Sequence, residues 1–257
     1  MKHTKPIIEI KDLKLRLGEK WIHNGINLTV NSGEIIGIVG ASGSGKTTLM
    51  REILMLQRPD HGSVKVFDQD LMKATPEELK KIEHRWGVLF QSNALFSSLT
   101  LQENVEFPLR EHIPLEEDLI QELALQKILS VGLDADAAGK YPAQLSGGMQ
   151  KRAGLARSLA LDPELLFLDE PSAALDPDSA ADLDDLILDL QSALELTVVI
   201  VTHDLDTLWR VTDRVAFLHE GKILCVDAID KLVKNPHEAI QKFFNGPRGR
   251  TAENIHG

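Results

Sequence analysis

Residues Gly40-Ala41-Ser42-Gly43-Ser44-Gly45-Lys46-Thr47 fill every fixed position of the eight-residue pattern G-x-x-x-x-G-K-[ST]. Such a run can hold a phosphate chain. Its glycines let backbone N–H groups wrap an anion, Lys46 brings a point charge to the β- and γ-phosphates, and the Thr47 hydroxyl suits Mg²⁺. The apolar run Ile35-Ile36-Gly37-Ile38-Val39 reads as a buried strand, and Thr48 to Leu54 reads as a helix. The phosphates would then lie at the positive end of that helix. A plain Gly/Ser-rich turn is the alternative, and it has no need of the strand, the helix, the lysine and the threonine together. The run points to a bound nucleoside triphosphate.

Leu165-Leu166-Phe167-Leu168-Asp169-Glu170 is an apolar strand that ends in two carboxylates. In open α/β sheets ligands gather at the carboxyl ends of the strands. Asp169 is expected to orient Mg²⁺ through water, and Glu170 to accept a proton from, or align, the water that attacks the γ-phosphorus. Taken alone, a solvated Asp-Glu pair at a strand end is the ordinary reading. Beside a phosphate loop the catalytic reading takes over.

The surrounding pattern lays out the elements that must position these groups. Ile8, Ile10, Leu13, Leu15 and Leu17, then Ile26, Leu28 and Val30, mostly alternate, which predicts an antiparallel strand pair at the start. Thr75-Pro76-Glu77-Glu78 and Thr100-Leu101-Gln102-Glu103 both carry the capping-box pattern, so a helix should begin at each. From about 92 to 157 the strand signals fade, and helical spacing runs from Leu115 to Val131 before Gly132. This stretch reads as an inserted helical lobe. Strand signals return at 165–168, 198–201 and 215–218 with helical stretches between, as in an open α/β sheet.

Composition narrows the classes. The 257 residues suffice for one large domain with an inserted lobe or for two small ones. With 28 basic and 39 acidic residues the net charge is −11, which argues against tracking nucleic-acid phosphates. The single cysteine, Cys225, cannot form an intramolecular disulfide, and no apolar run approaches the roughly 18 residues of a spanning helix. The first residues carry positive charge without an uninterrupted apolar core, so no cleaved signal peptide is expected. A cytoplasmic protein that reaches the membrane only through a partner is the expectation.

Leu145-Ser146-Gly147-Gly148-Met149-Gln150-Lys151-Arg152 resembles the signature motif of the ATP-binding-cassette (ABC) ATPases, and the family's other marks follow its order. Gln91 follows an apolar strand, Ser172-Ala173-Ala174-Leu175-Asp176 follows the carboxylate pair, and His203 follows the run Val198 to Thr202. Alone, Ser-Gly-Gly could be a loop and His203 a structural histidine; five motifs in order remove that default. The resemblance covers nearly the whole chain. It implies an α/β fold: a P-loop NTPase, RecA-like core with an N-terminal antiparallel β subdomain (1–91 and 158–234), an inserted helical subdomain with the signature (92–157) and a C-terminal extension (235–257).

The resemblance also implies roles. ATP would be held by Gly40, Ser42, Gly43, Ser44, Gly45, Lys46, Thr47 and Thr48, and Mg²⁺ by Thr47, Gln91 and Asp169. Glu170, His203 and Gln91 would form the hydrolytic set, with His203 contacting the γ-phosphate and holding Glu170 in line. Ser146 with the N–H groups of Gly147 and Gly148 opens a helix and makes an anion site. In the family that site serves a second copy: two chains face head to tail with two ATP molecules between them, and Asp176 addresses the opposite site. Hydrolysis then opens the dimer. One position departs from the pattern: the slot where many of these ATPases stack adenine on an aromatic ring holds Leu17, and Trp21 lies four residues on. ATP over GTP therefore rests on the family.

Among such ATPases, Phe90-Gln91-Ser92-Asn93-Ala94-Leu95-Phe96 and Pro108-Leu109-Arg110-Glu111-His112 look most similar to the subunits of the Mla phospholipid-transport systems. That implies two ATPase chains, a membrane permease, a periplasmic lipid-binding ring of MCE domains and a small STAS-domain protein on the helical lobe, at the cytoplasmic face of an inner membrane. The permease would dock around Ser92 to Val105, where Leu95, Phe96 and Leu99 are apolar. An importer of polar amino acids or a lipoprotein-release ATPase is the runner-up. Soluble cassettes of DNA repair or translation are disfavoured by a single cassette without sustained heptads, and an inactive binding module by the presence of Lys46, Gln91, Asp169, Glu170 and His203. In the tail, Ala239, Ile240, Phe243 and Phe244 recur at helical spacing after Pro236 and before Asn245-Gly246-Pro247. That face either packs on its own core or reaches the neighbouring ATPase.

Overall fold

The computed structural model describes residues 5–245. In chain order the elements are β1 (Pro6–Leu17), β2 (Lys20–Asn31), β3 (Ile35–Val39), α1 (Lys46–Ile53), β4 (His61–Val66), β5 (Gln69–Asp70) and α2 (Pro76–Glu83). Then come β6 (Trp86–Leu89), α3 (Leu101–His112), α4 (Glu117–Ser130), α5 (Gly147–Ser158), β7 (Leu165–Asp169) and α6 (Pro177–Leu194). The chain continues through β8 (Thr197–Val201), α7 (Leu205–Val211), β9 (Arg214–His219), β10 (Lys222–Asp227), α8 (Ile229–Leu232) and α9 (Glu238–Phe244). They fall into two compact units, one up to Ile82 and from Thr197 onward, the other from Glu83 to Leu196.

The first unit holds an antiparallel sheet in the order β2-β1-β4-β5. The expected opening strand pair is β1 with β2. Its inward row includes Ile8, Ile10, Leu13 and Leu15 from β1 and Ile26, Leu28 and Val30 from β2, all buried. Register shifts interrupt the pairing, so strict two-residue alternation slips where the shifts occur. In the same unit β3 lies between parallel β8 and β9, and β10 pairs antiparallel with β9. Every residue of β3 and of β8 is buried, as strands covered on both faces require.

The face of α9 packs on this unit's own core: Ile240 (1% exposed) and Phe244 (4%) join Val39, Leu208 and Phe217, with Ala239 and Phe243 against them. Phe243 meets Phe217 edge to face, with ring centroids 5.5 Å apart. The described part of the tail therefore packs on its own chain, with Ile240 and Phe244 buried and Ala239 and Phe243 partly so. Residues 246–257 of the expected extension, Gly246 and Pro247 among them, lie outside the described residues.

The second unit pairs β6 with β7 in parallel and packs α3 against α4 and α5. The capping box at Thr100 forms as expected, with Glu103 N–H donating to Thr100 Oγ1 and Thr100 N–H to Glu103 Oε2. Ahead of it, the fully buried Asn104 takes a hydrogen bond from Phe96 N–H at 2.8 Å and donates to the carbonyls of Phe96, Leu99 and Thr100. One amide therefore sets the shape of the loop leading into α3. Among the described residues no helix is long and apolar enough to cross a membrane.

Candidate functional site

In the first unit the phosphate loop leaves the carboxyl end of β3 and enters α1. Gly40 has φ +154, and a Cβ there would stand 2.2 Å from the Leu218 carbonyl oxygen, a position open to glycine alone. Gly45 caps α1 with φ +102. Lys46 Nζ lies back along the loop, donating to the carbonyls of Gly40 at 3.0 Å and Ala41 at 3.2 Å. Ala41, Ser42 and Gly43 are exposed, and a Cβ on Gly43 would meet open space, while the buried Ser44 Oγ has no hydrogen-bond partner among the described residues. A loop of exposed backbone with an orphaned hydroxyl and a lysine suits an anion, and the hydroxyl of Thr47 suits a hard cation. His203 stands exposed between β8 and α7, after Thr202, whose Oγ1 accepts from Asp204 N–H at 3.0 Å.

Beneath the loop lies a pair that the sequence reading missed. His23 on β2 and Glu52 on α1 are both fully buried, and His23 Nδ1 hydrogen-bonds Glu52 Oε2. Their other polar atoms, His23 Nε2 and Glu52 Oε1, have no hydrogen-bond partner among the described residues. The imidazole abuts the loop, since a Cβ on Gly45 would lie 2.6 Å from His23 Nε2. Burial pushes the Glu52 carboxyl above its usual range; the hydrogen bond and charge of His23 pull it partly back, and Asp60 adds to the rise. Glu52 was findable, because it shares a helical face with buried Leu49 and Ile53.

The adenine slot differs from an aromatic platform as the sequence indicates: Leu17 is 48% exposed and Trp21, opposite Arg16 in the β1–β2 register, is 43% exposed. Arg16, Gly18, Trp21, Asp60 and His61 line an open cavity of about 400 Å³.

The second unit carries the acidic and signature residues. All of β7 is buried, Asp169 included at 3% exposed. The next residue, Glu170, leaves the strand half-buried with φ +50, a left-handed backbone that costs a non-glycine residue about 1–2 kcal/mol. Gln91 is exposed two residues beyond β6. Between the two stands Lys151 of α5, only 5% exposed, whose ammonium donates to the Gln91 carbonyl at 2.8 Å and the Glu170 carbonyl at 3.4 Å. Burial lowers its pKa, and the charges of Asp169 and Glu170 oppose that. The sequence signal for Lys151 is its place on one helical face with buried Gly154 and Leu155.

Ser146 caps α5, its Oγ accepting from Met149 N–H at 3.3 Å, so the helix N-terminus forms where the motif predicts. In this chain Cβ atoms on Gly147 and Gly148 would find only ordinary contacts, at 3.8 Å and 3.9 Å, and neither residue has a positive φ. The fold of one chain therefore gives no steric reason for glycine at either position. Asp176 caps α6, with Oδ1 accepting from Ser179 N–H at 3.0 Å and Oδ2 from Ser179 Oγ at 2.7 Å. Those hydrogen bonds hold its carboxyl below the usual range. Before α3, Phe96 (39% exposed) packs on Phe107 (38% exposed), and the Arg157 guanidinium sits 4.5 Å over the Phe96 ring. Phe107, on the outer side of α3, extends the apolar patch beyond the residues read from the sequence.

Comparison with known proteins follows the same lines. The ABC transporter family model matches residues 23–173. The chain is 38% identical over 240 residues to the "Intermembrane phospholipid transport system ATP-binding protein MlaF" of Haemophilus influenzae, covering 93% of this chain and 90% of that one. It is 39% identical over 246 residues to the methionine import ATP-binding protein MetN of Lacticaseibacillus paracasei, covering 93% and 68%. A probable ribonucleotide transport ATP-binding protein, mkl of Mycobacterium tuberculosis, is 36% identical over 241 residues, covering 94% and 67%. Among solved structures, the dimeric ABC cassette MJ0796 in a post-hydrolysis state with ADP and Pi superposes with a TM-score of 0.79 at 30% identity, covering 86% and 98%.

Proposed function

The chain belongs to the ABC transporter family as its ATP-binding, ATP-hydrolysing subunit, and from that premise we propose that it drives phospholipid movement between the inner and outer membranes. The supporting observation is the end-to-end match to MlaF, which spans nine-tenths of both chains, whereas the mkl and MetN relatives each carry about a third of their length beyond the match. Cargo meets the permease and not this subunit, so the membrane partner decides it. The partners this reading calls for are a second copy of the chain, a permease, an MCE-domain lipid-binding protein and a STAS-domain protein, with the ATPase at the cytoplasmic face.

In this proposal Gly40 to Thr48 grip the triphosphate by backbone N–H groups, the Lys46 ammonium and the Thr47 hydroxyl. Thr47, Gln91 and Asp169 would supply the oxygen donors for Mg²⁺, which would neutralise charge on the phosphate oxygens. Glu170 orients and deprotonates the attacking water, and His203 steadies it. Ser146, Gly147 and Gly148, with Asp176, serve the nucleotide of the second copy. In the same proposal the ATPase core comprises 1–91 and 158–234, the helical subdomain 92–157 and the C-terminal extension 235–257.

The exposed aromatic pair Phe96 and Phe107 fits permease docking. Phe96→Asp is expected to abolish co-purification with the permease while shifting the isolated chain's melting temperature by only a few degrees, because it removes about 1 kcal/mol of cation–π and ring contact. Undiminished co-purification would remove the docking surface. The function itself is tested by reconstituting the chain with its co-purified permease complex in vesicles that carry labelled phospholipid. ATP-dependent lipid transfer supports the reading; ATP hydrolysis stimulated by an amino acid, with no lipid transfer, would replace it with an importer.

A further inference from the structure

We infer that Lys151 is a positioning residue for hydrolysis: its buried ammonium ties the backbone of Gln91 to that of Glu170 and so sets the directions in which the two side chains project. This rests on the catalytic roles proposed above for Gln91 and Glu170.

Glu170 has φ +50, and two residues beyond Gln91 the chain again turns left-handed, with Asn93 at φ +63 and Ala94 at φ +52. Non-glycine residues stay in that region only where their surroundings over-determine them. Two of the restraints on Glu170 act at its own carbonyl, which accepts from Ala173 N–H at 3.2 Å and from Lys151 Nζ at 3.4 Å. The same ammonium donates to the Gln91 carbonyl at the shorter distance of 2.8 Å. Lys151 is 5% exposed, and an ammonium is kept out of water only where its hydrogen bonds and nearby charge compensate. The compensation comes from the carbonyls of the two reacting residues and from the charges of Asp169 and Glu170. An apolar side chain at this inward position of α5 would avoid the desolvation altogether. The lysine is explained by what it holds.

Lys151 touches neither nucleotide nor water in this assignment, so its loss should act on turnover and leave nucleotide binding alone. Misplacing a reacting group by about 1 Å costs about a hundredfold in rate. Lys151→Met keeps an apolar stem without a donor, and Lys151→Gln, one bond shorter than lysine, keeps an amide donor. In the full chain, with labelled ATP and Mg²⁺, Lys151→Met is expected to bind nucleotide within about twofold of wild type and to lower kcat by about a hundredfold, while Lys151→Gln recovers about tenfold of that loss. A Met variant with kcat within about threefold of wild type overturns the inference. So does equal loss in both variants, which would mark a packing role. Should the Met chain fail to fold, the Gln chain decides: reduced kcat with unchanged nucleotide affinity supports the tie, and a parallel loss of both contradicts it.

Discussion

Glu170→Gln is expected to lower ATP turnover by about a hundred- to ten-thousandfold while leaving ATP binding in place, so that the chain accumulates as a nucleotide-bound dimer. β7 is buried along its whole length, and the chain emerges at Glu170 with a left-handed turn that presents the first side chain outside the strand. Asp169 lies inside the strand end and is 3% exposed, where the proposed function has it hold the ion; Glu170 is half-buried, where it is proposed to take the proton from water. Glutamine keeps the size and loses the base. Lys46, Thr47 and the loop backbone are untouched, so affinity should persist. Size-exclusion chromatography with ATP and a single-turnover assay read the two halves of the expectation, and turnover near wild type would remove Glu170 from the reaction.

The second large effect concerns stability. His23→Leu alone should cost about 3–5 kcal/mol, because it leaves a carboxylate buried without its partner. Glu52→Leu alone should cost about 1–3 kcal/mol, the penalty of an unsatisfied buried imidazole. The double variant should recover to within about 1 kcal/mol of wild type, since an apolar pair of similar volume fits a site otherwise lined by the β-sheet core and the inner face of α1. The pH dependence has a definite sign. The folded-state pKa of Glu52 is raised by burial and by Asp60 against the opposing pull of His23, so its protonated form contributes stability below the ordinary value of 4.5 that is lost as pH rises through the folded value. Glu52→Gln keeps a neutral side chain throughout. Denaturant melts should therefore show the wild type losing stability relative to the Gln variant as pH rises from about 4.5. A constant difference would contradict the assignment.

Much of this molecule was readable before its structure. The phosphate loop, its flanking strand and helix, the capping boxes at Thr75 and Thr100 and the strands at 165–168, 198–201 and 215–218 all depend on local spacing, and all form. What stayed hidden depends on residues far apart in the chain. His23 meets Glu52 across 29 positions, and the register shifts of the β1–β2 pair disguise which side of β2 faces inward. The role of Lys151 needs carbonyls from two other segments, 60 and 19 residues away. Likewise the helical spacing of Ile240 and Phe244 predicts a face but not its partner, and only the tertiary fold brings that face to Phe217. Asp176 shows the same limit at short range: the motif names the residue, and only the fold shows that its carboxyl also caps α6.

The central claim is that one catalytic site is assembled from two copies of this chain, the phosphate loop of one and the signature helix of the other. Two single variants test it in combination. Lys46→Ala removes the charge from the phosphate loop. Gly147→Asp places a carboxylate at the first turn of α5, where the helix tolerates it and Cβ has room, yet where it repels a phosphate. Each variant alone should be inactive. Mixed in equal amounts, they form some dimers in which an intact loop faces an intact signature, and ATPase activity is expected to return. Activity in the mixture no greater than that of either variant alone would contradict the shared site.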